Sequence, residues 1–220
     1  MTDVTDYDCA RLCEAIYAYP GDAPVTWDYF DEGEDDGVCW AVKRAGDTDV
    51  IVFRGSTTPQ DWLRDFEAIA APVDAGIGPV HVGFARGLFG IAGQVAARTP
   101  KAVIVTGHSL GAGRASIFAG CLKLVGIKPA SRVVFGEPRP GFKQLGEFLS
   151  DVPGRSYRNA DGQHHDLITD VPFSGWAFPY VHPTPLIDVN APPPDNDPWG
   201  IFSFHHVGLY VQALSKRTVQ

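Results

Sequence analysis

Val103-Ile104-Val105-Thr106-Gly107-His108-Ser109-Leu110-Gly111 is the stretch that decides the fold class of this 220-residue chain. A β-branched run ends in G-x-S-x-G, and a long segment of small residues at helical spacing begins at once. That is the strand, sharp turn and helix context of a nucleophile elbow, which holds a serine at the apex of a strained turn. Positions two before and two after the serine must then be small; both are glycine, and Ala112 and Gly113 follow. Such a turn lifts the hydroxyl above the sheet edge and aims the first free N–H groups of the helix at the same point. The plainer alternative is a serine that only caps the helix. The strand before it and the glycines on both sides favour the elbow.

Downstream of the elbow the patterns predict a helix over residues 110–125, a strand at 132–135 and a short helix at 141–149. Residues 160–204, dense in proline and aromatics, read as packed loops with a strand at 186–189, and a helix over 205–215 closes the chain. Upstream lie a strand at 102–106, helices over 84–98 and 60–70, and strands at 49–53 and 38–42 joined through Arg44-Ala45-Gly46-Asp47 as a hairpin. A first helix spans 6–19 and stops at Tyr19-Pro20-Gly21. Strands alternating with helices argue for an α/β fold: a mostly parallel central sheet, helices on both faces and an antiparallel N-terminal hairpin. The length suits one buried core, so a single domain over 1–220 is expected.

With 26 acidic against 18 basic residues the net charge is −8, and no basic cluster offsets it. Nucleic acid and anionic membranes are therefore poor partners. The N-terminus carries three aspartates in its first eight residues and no apolar core of signal-peptide length. No run approaches a membrane span, so stable membrane insertion is not expected. Cys9, Cys13, Cys39 and Cys121 lack metal-site spacing, and Cys9 and Cys13 sit four apart on a predicted helix, a placement that seldom meets disulfide geometry. They read as buried thiols of a reducing, cytoplasmic compartment. The acidic run 28–36 lacks the alternating ligand spacing of a calcium loop and reads as a solvated loop. Nothing in the sequence calls for a cofactor, and no feature specifies an oligomeric state.

A serine hydroxyl is a poor nucleophile without a histidine base that is itself oriented by a carboxylate. In α/β hydrolases the order along the chain is Ser, then Asp or Glu, then His, so both partners lie downstream of Ser109. His164, His165, His182, His205 and His206 are the candidate bases; Asp161, Asp166, Asp170 and Asp188 are candidate acids.

At these residues the chain resembles the class 3, fungal-lipase-like family of the α/β-hydrolase fold, over roughly residues 38–214. Phe53-Arg54-Gly55-Ser56 is similar to that family's FRG-[ST] motif, and Asp61-Trp62 with Asp65 keeps its D-W-x-x-D spacing. His81-Val82-Gly83-Phe84 matches H-x-G-F, Gly107 to Gly111 matches the elbow, and Gly136-Glu137-Pro138-Arg139-Pro140-Gly141 resembles G-x-P-R-[VP]-G. Asp166 and Pro172 reproduce D-x-x-x-x-x-P. The resemblance implies a serine carboxylic-ester hydrolase working through an acyl-enzyme on a small-molecule or lipid ester, with nucleophile Ser109 and acid Asp166. Its base opens the last helix five residues before a tyrosine; His205 has that spacing to Tyr210, and His206 is the neighbouring alternative. Ser56 and Leu110 are the implied oxyanion donors. His81 and His108 fall at supporting positions, His182 is assigned to loop bonding, and Arg54 is expected to pair with Asp61 or Asp65. Two extra residues separate Arg158 from Asp166, and Ala112-Gly113-Arg114 replaces the commoner glycine pair.

The acyl pocket is expected between Phe173, Trp176, Phe178 and Tyr180 on one side and Trp199, Phe202 and Phe204 on the other. The segment 57–79, a candidate lid, carries five charged residues (Asp61, Arg64, Asp65, Glu67, Asp74) and lacks the broad apolar face of an interfacial lid. A preference for short-to-medium acyl esters is expected on that ground, with a true triacylglycerol lipase or phospholipase as the alternative. Two rivals are a metal-dependent hydrolase built on His164-His165-Asp166 and His205-His206, which leaves the elbow unexplained, and a non-catalytic binding module that keeps the fold without the chemistry, against which the intact Ser, Asp and His set argues.

Overall fold

The computed structural model describes residues 4–18, 25–33, 37–56 and 72–217. Strand β3 (Thr48–Phe53) shows how its sequence buries both faces of the sheet. Val50 and Val52 enter one hydrophobic core and Ile51 and Phe53 the other, as side chains of alternating residues must. β3 pairs antiparallel with β2 (Trp40–Ala45) and parallel with β6 (Ala102–His108). β1 (Tyr29–Asp31) adds an antiparallel edge beyond β2, while β7 (Ser131–Phe135), β8 (Gly154–Asn159) and β9 (Leu186–Val189) extend the parallel side. The order is β1-β2-β3-β6-β7-β8-β9, with a separate ladder of β4 (Pro72–Asp74) and β5 (Pro79–His81).

β1 corrects the reading of the acidic run as a solvated loop: the Tyr29 ring packs on Trp40 with centroids 4.8 Å apart, and that contact gives the edge strand an apolar side. β8 was absent from the pattern because its sequence is polar. Its polar groups are matched across the fold, Arg155 to Asp6 and Arg158 to Asp188 as ion pairs and the Ser156 hydroxyl to Glu137, so no hydrophobic run announces it.

Helices α1 (Asp6–Ala18) and α6 (Val207–Ser215) cover one face; α3 (Leu88–Ala97) and α4 (Leu110–Leu124) cover the other. The continuous helix expected over 84–98 is two pieces, α2 (Val82–Ala85) and α3, broken at Gly87 with φ 78°. α5 (Lys143–Phe148) is shorter than the 141–149 expected. The last helix also begins later: a 3-10 turn, Gly200–His205, precedes extended His206, and α6 starts at Val207. The helix expected over 60–70 lies outside the described residues. Small residues let α4 press against the sheet, and Gly111 through Leu122 are all buried. α1 is pinned to β8 by Asp6, which accepts from Arg155 at 2.6 and 2.7 Å and from the Tyr157 hydroxyl at 2.5 Å. Among the described residues no helix is long and apolar enough to cross a membrane.

Candidate active site

Ser109 stands between β6 and α4 with φ 61° and ψ −132°, a backbone conformation that costs a side-chain-bearing residue about 1–3 kcal/mol. The surroundings enforce it. The Ser109 N–H donates to the Phe135 carbonyl at 3.1 Å, and the Ala112 N–H donates to the Ser109 carbonyl at 2.9 Å. A side chain at Gly107 would overlap the Gly111 carbonyl, and one at Gly111 would overlap that of Phe53. The hydroxyl makes no capping bond to the helix.

Among the four candidate acids, Asp166 is the one set against His205. His205 Nδ1 lies 2.6 Å from Asp166 Oδ2, and both side chains are buried. A carboxylate can only accept here, so Nδ1 carries the proton and Nε2 is left as an acceptor. That Nε2 is buried and has no hydrogen-bond partner among the described residues. Asp166 also accepts from the Tyr210 hydroxyl at 2.5 Å and from the Ile168 N–H at 3.0 Å. Burial alone would raise its pKa, but the His205 ring and the Tyr210 hydroxyl bring it below the usual value, so the carboxylate stays ionised.

His205 is braced on its other side by His108. Burial and the neighbouring His205 push the His108 pKa down to about 3, so its ring is neutral. Its Nε2 sits 2.8 Å from the His205 carbonyl, which only accepts, so Nε2 is the donor and Nδ1 accepts from the Tyr17 hydroxyl at 3.0 Å. Asn159 Nδ2 holds the Phe204 carbonyl at 3.2 Å. Gly136, with φ 55°, passes so close that a Cβ would lie 2.7 Å from Asp166 Oδ2 and 2.9 Å from His205 Nδ1. Its loop is fixed by buried Glu137, which faces Arg132 at 3.2 Å and accepts from the Ser116 and Ser156 hydroxyls. Burial raises the Glu137 pKa, but the Arg132 guanidinium and His182 bring it below its ordinary value.

Ser109 and His205 face one cavity of about 420 Å³, which Ser56, Tyr17, Trp199 and His206 also line. Leu110 opens α4 directly after Ser109. The remaining candidates go elsewhere. Asp161 caps a turn by accepting from the Gln163 and His164 N–H groups, which is how the two extra residues before Asp166 are accommodated. Asp170 faces His165 and Arg139, and Asp188 faces Arg158. The histidines of the metal rival thus point to separate carboxylates: His164 to Asp161, His165 to Asp170, His205 to Asp166 and His206 to Asp197. His206 is not a free surface group; its ring stacks on Trp199 at 3.7 Å. His182 bonds the Thr169 carbonyl, and His81 caps α2 by accepting from the Gly83 N–H. The partners expected for Arg54, Asp61 and Asp65, lie outside the described residues, as does most of the candidate lid.

The expected acyl wall is not assembled as the sequence suggested. Of its residues, Trp199 lines the cavity. Phe173, Trp176 and Phe178 are 73, 99 and 46% exposed, Tyr180 is buried against His81 and Phe142, and Phe202 packs on the core. A proline-rich loop can turn an aromatic residue to either side, and no periodicity records which. Tyr17 and Asn159 were missed because they act through contacts distant in sequence, which no local pattern records; Gly136 stands in a quoted motif that does not say what it approaches, and Asp197 acts on Trp199 and His206 without a spacing signal of its own. Tyr210 had a signal, its five-residue spacing from His205, without a role attached to it.

A family model described as Lipase (class 3) matches residues 50–176, more than half of the chain. The chain belongs to the class 3 lipase family. A relative from Fusarium solani, secreted mono- and diacylglycerol lipase 1, is 30% identical over 158 residues, 67% of this chain and 46% of that protein. The chain thus spans less than half the length of that relative. Among solved structures, a mono- and diacylglycerol lipase from Aspergillus oryzae superimposes with a TM-score of 0.62 at 21% identity, over 87% of this chain and 78% of its own. The native Rhizomucor miehei lipase propeptide complex gives 0.63 at 24%, over 84 and 67%. These likenesses bear out the α/β-hydrolase fold expected of the class 3 lipase family. They also correct the cytoplasmic location, since the Fusarium relative is a secreted protein. The four free cysteines are all buried, so their unpaired state reflects packing and carries no information about compartment.

Proposed function

We propose that this class 3 lipase family member is a serine carboxylic-ester hydrolase that takes small-molecule or lipid esters through an acyl-enzyme, within one α/β domain. One observation carries the reading: the buried Asp166–His205 pair leaves His205 Nε2 unpartnered, among the described residues, in a cavity shared with Ser109 on its strained turn. Ser109 Oγ attacks the ester carbonyl carbon as its proton passes to His205 Nε2. N–H groups of Ser56 and Leu110 hold the tetrahedral oxyanion. Collapse expels the alcohol, which takes the proton back from the imidazolium, and water repeats the sequence to release the acid. Asp166 fixes the tautomer and stabilises the imidazolium throughout.

Short-to-medium acyl esters suit the modest cavity, and the −8 charge disfavours anionic phospholipid. A second reading, a lipase acting on emulsified long-chain glycerides, is favoured by the exposure of Phe173, Trp176 and Phe178. A fluorophosphonate probe with peptide mapping tests the chemistry: it labels Ser109, and chelators leave hydrolysis intact. Absence of labelling, or loss of activity on chelation, would contradict the reading. Hydrolysis of p-nitrophenyl esters of rising acyl length, set against a triglyceride emulsion, then separates the two substrate classes.

A further inference from the structure

The residue beside the base is occupied in a way that ester hydrolysis alone does not require. His206 Nε2 lies 2.8 Å from Asp197 Oδ2, and the other oxygen of that carboxylate accepts the backbone N–H of Trp199 at 2.8 Å. The Trp199 indole then stacks on the His206 ring, with centroids 3.7 Å apart and planes inclined by 26°. The Asp197 side chain is only 7% exposed. Its burial raises the pKa, but the His206 ring and the Trp199 N–H bring it below the ordinary value. In the turn that carries it, Asn196 and Gly200 both take left-handed φ values, 59° and 55°, on either side of Pro198, whose ring fixes its own φ. Trp199 and His206 therefore form a fixed aromatic step in the cavity wall, next to the base.

We propose that Trp199, held by Asp197 and His206, is the specificity-determining wall for the alcohol half of the ester. The proposal rests on the ester-hydrolase reading of this cavity. The leaving oxygen must come within about 2.6–3.2 Å of His205 Nε2 to be protonated. The substituent on that oxygen therefore meets the wall contiguous with the base: His206, the indole stacked on it, and Val207. The acyl carbonyl is drawn instead toward Ser56 and Leu110. A flat, apolar step admits compact or planar alcohols and collides with branched ones. The site is thereby matched to esters of small alkyl or aryl alcohols.

The test uses butyrate esters of ethanol, phenol, cyclohexanol and glycerol, with ethyl esters of rising acyl length beside them. Trp199→Ala raises the kcat/KM ratio of cyclohexyl to ethyl butyrate by about tenfold or more, the scale of one poorly fitting group in a pocket. Trp199→Phe gives an intermediate ratio. Asp197→Asn shifts the ratio in the same direction by less, and the acyl ranking stays put in all three variants. An unmoved alcohol ratio in Trp199→Ala and Trp199→Phe, or an acyl ranking that moves in its place, would overturn the proposal. A wild-type protein that hydrolyses none of these esters and takes no fluorophosphonate at Ser109 brings down the reading of the cavity and the wall with it. Labelling at Ser109 with unmoved alcohol ratios brings down the wall alone.

Discussion

Ser109 takes its geometry from Gly107 and Gly111, two residues either side, and from the strand and helix that meet at it. His205 takes its geometry from Asp166, 39 positions away, and from His108, 97 positions away, which is steadied in turn by Tyr17. One half of the site is made by local steric demand, the other by hydrogen bonds between distant loops. A serine in a strained turn needs glycine neighbours at fixed offsets, and fixed offsets are visible in a sequence. A histidine on a loop can be held by partners at any separation. The nucleophile half should therefore fail abruptly when altered, whereas the acid–base half should fail in steps as successive braces are removed.

The largest effect falls on the local half. Ser109→Ala should lower kcat for a p-nitrophenyl ester by about a millionfold, the precedent for losing a triad nucleophile. Steady-state rates with the variant purified free of wild type check this, and a variant retaining even a hundredth of the activity would break the comparison at its root.

The next effect is larger for one aspartate than for its neighbours. Asp166→Asn removes the orienting acceptor and should cost about 10⁴ in kcat. Asp161→Asn, Asp170→Asn and Asp188→Asn alter a turn and surface ion pairs, and should cost far less. Comparable losses at Asp188 would mean that the acid had been placed on the wrong loop.

A smaller effect sharpens the stepwise picture. Tyr210→Phe keeps the ring but deletes the hydroxyl that donates to the Asp166 carboxylate and accepts from the Asn159 N–H, and should cost about tenfold in kcat, chiefly through the bond to the charged group. KM should move little, because Tyr210 touches the acid and not the cavity. A loss confined to KM would reassign it.

The smallest effect concerns pH and stability. His108 titrates near 3 in the folded protein and near 6.5 when unfolded. Between those values the unfolded chain binds the additional proton, so this contribution is fully present above pH 6.5 and is lost as pH falls toward 3. Asp166, also depressed, acts in the same sense below its unfolded value of about 3.9. Unfolding free energies from urea titrations should fall between pH 7 and pH 4.5 by up to about 1.4 kcal/mol per pH unit, and His108→Gln should flatten that slope. An unchanged slope in the variant would remove His108 as its source.

The same contrast explains what the sequence could and could not reveal. β3, β6 and β7 are apolar on both faces, so their strands were legible, and the elbow was legible from its glycines. β8 was not, since its arginines and serine are satisfied by Asp6, Asp188 and Glu137 from far along the chain. Asp166 and His205 could be named from motif order and spacing, but their braces could not: Tyr17 and Asn159 carry no mark of their role in their immediate neighbours, and the motif that holds Gly136 does not reveal its approach to Asp166 and His205. The aromatic wall failed for a related reason. Phe173 and Trp176 share the composition of Trp199, and only the turn around Asp197 decides which of them lines the cavity.

The central claim is that Ser109 and the distantly braced His205 act as one unit, and a double-variant cycle tests it most directly. The rates of Ser109→Ala, His205→Ala and the combined variant are measured on one ester, with His206→Ala as the neighbouring control. Groups acting as a unit are non-additive, so the combined variant should be no slower than Ser109→Ala alone, and His206→Ala should lose far less than His205→Ala. Losses that multiply in the combined variant, or a His206→Ala defect as deep as that of Ser109→Ala, would contradict the account.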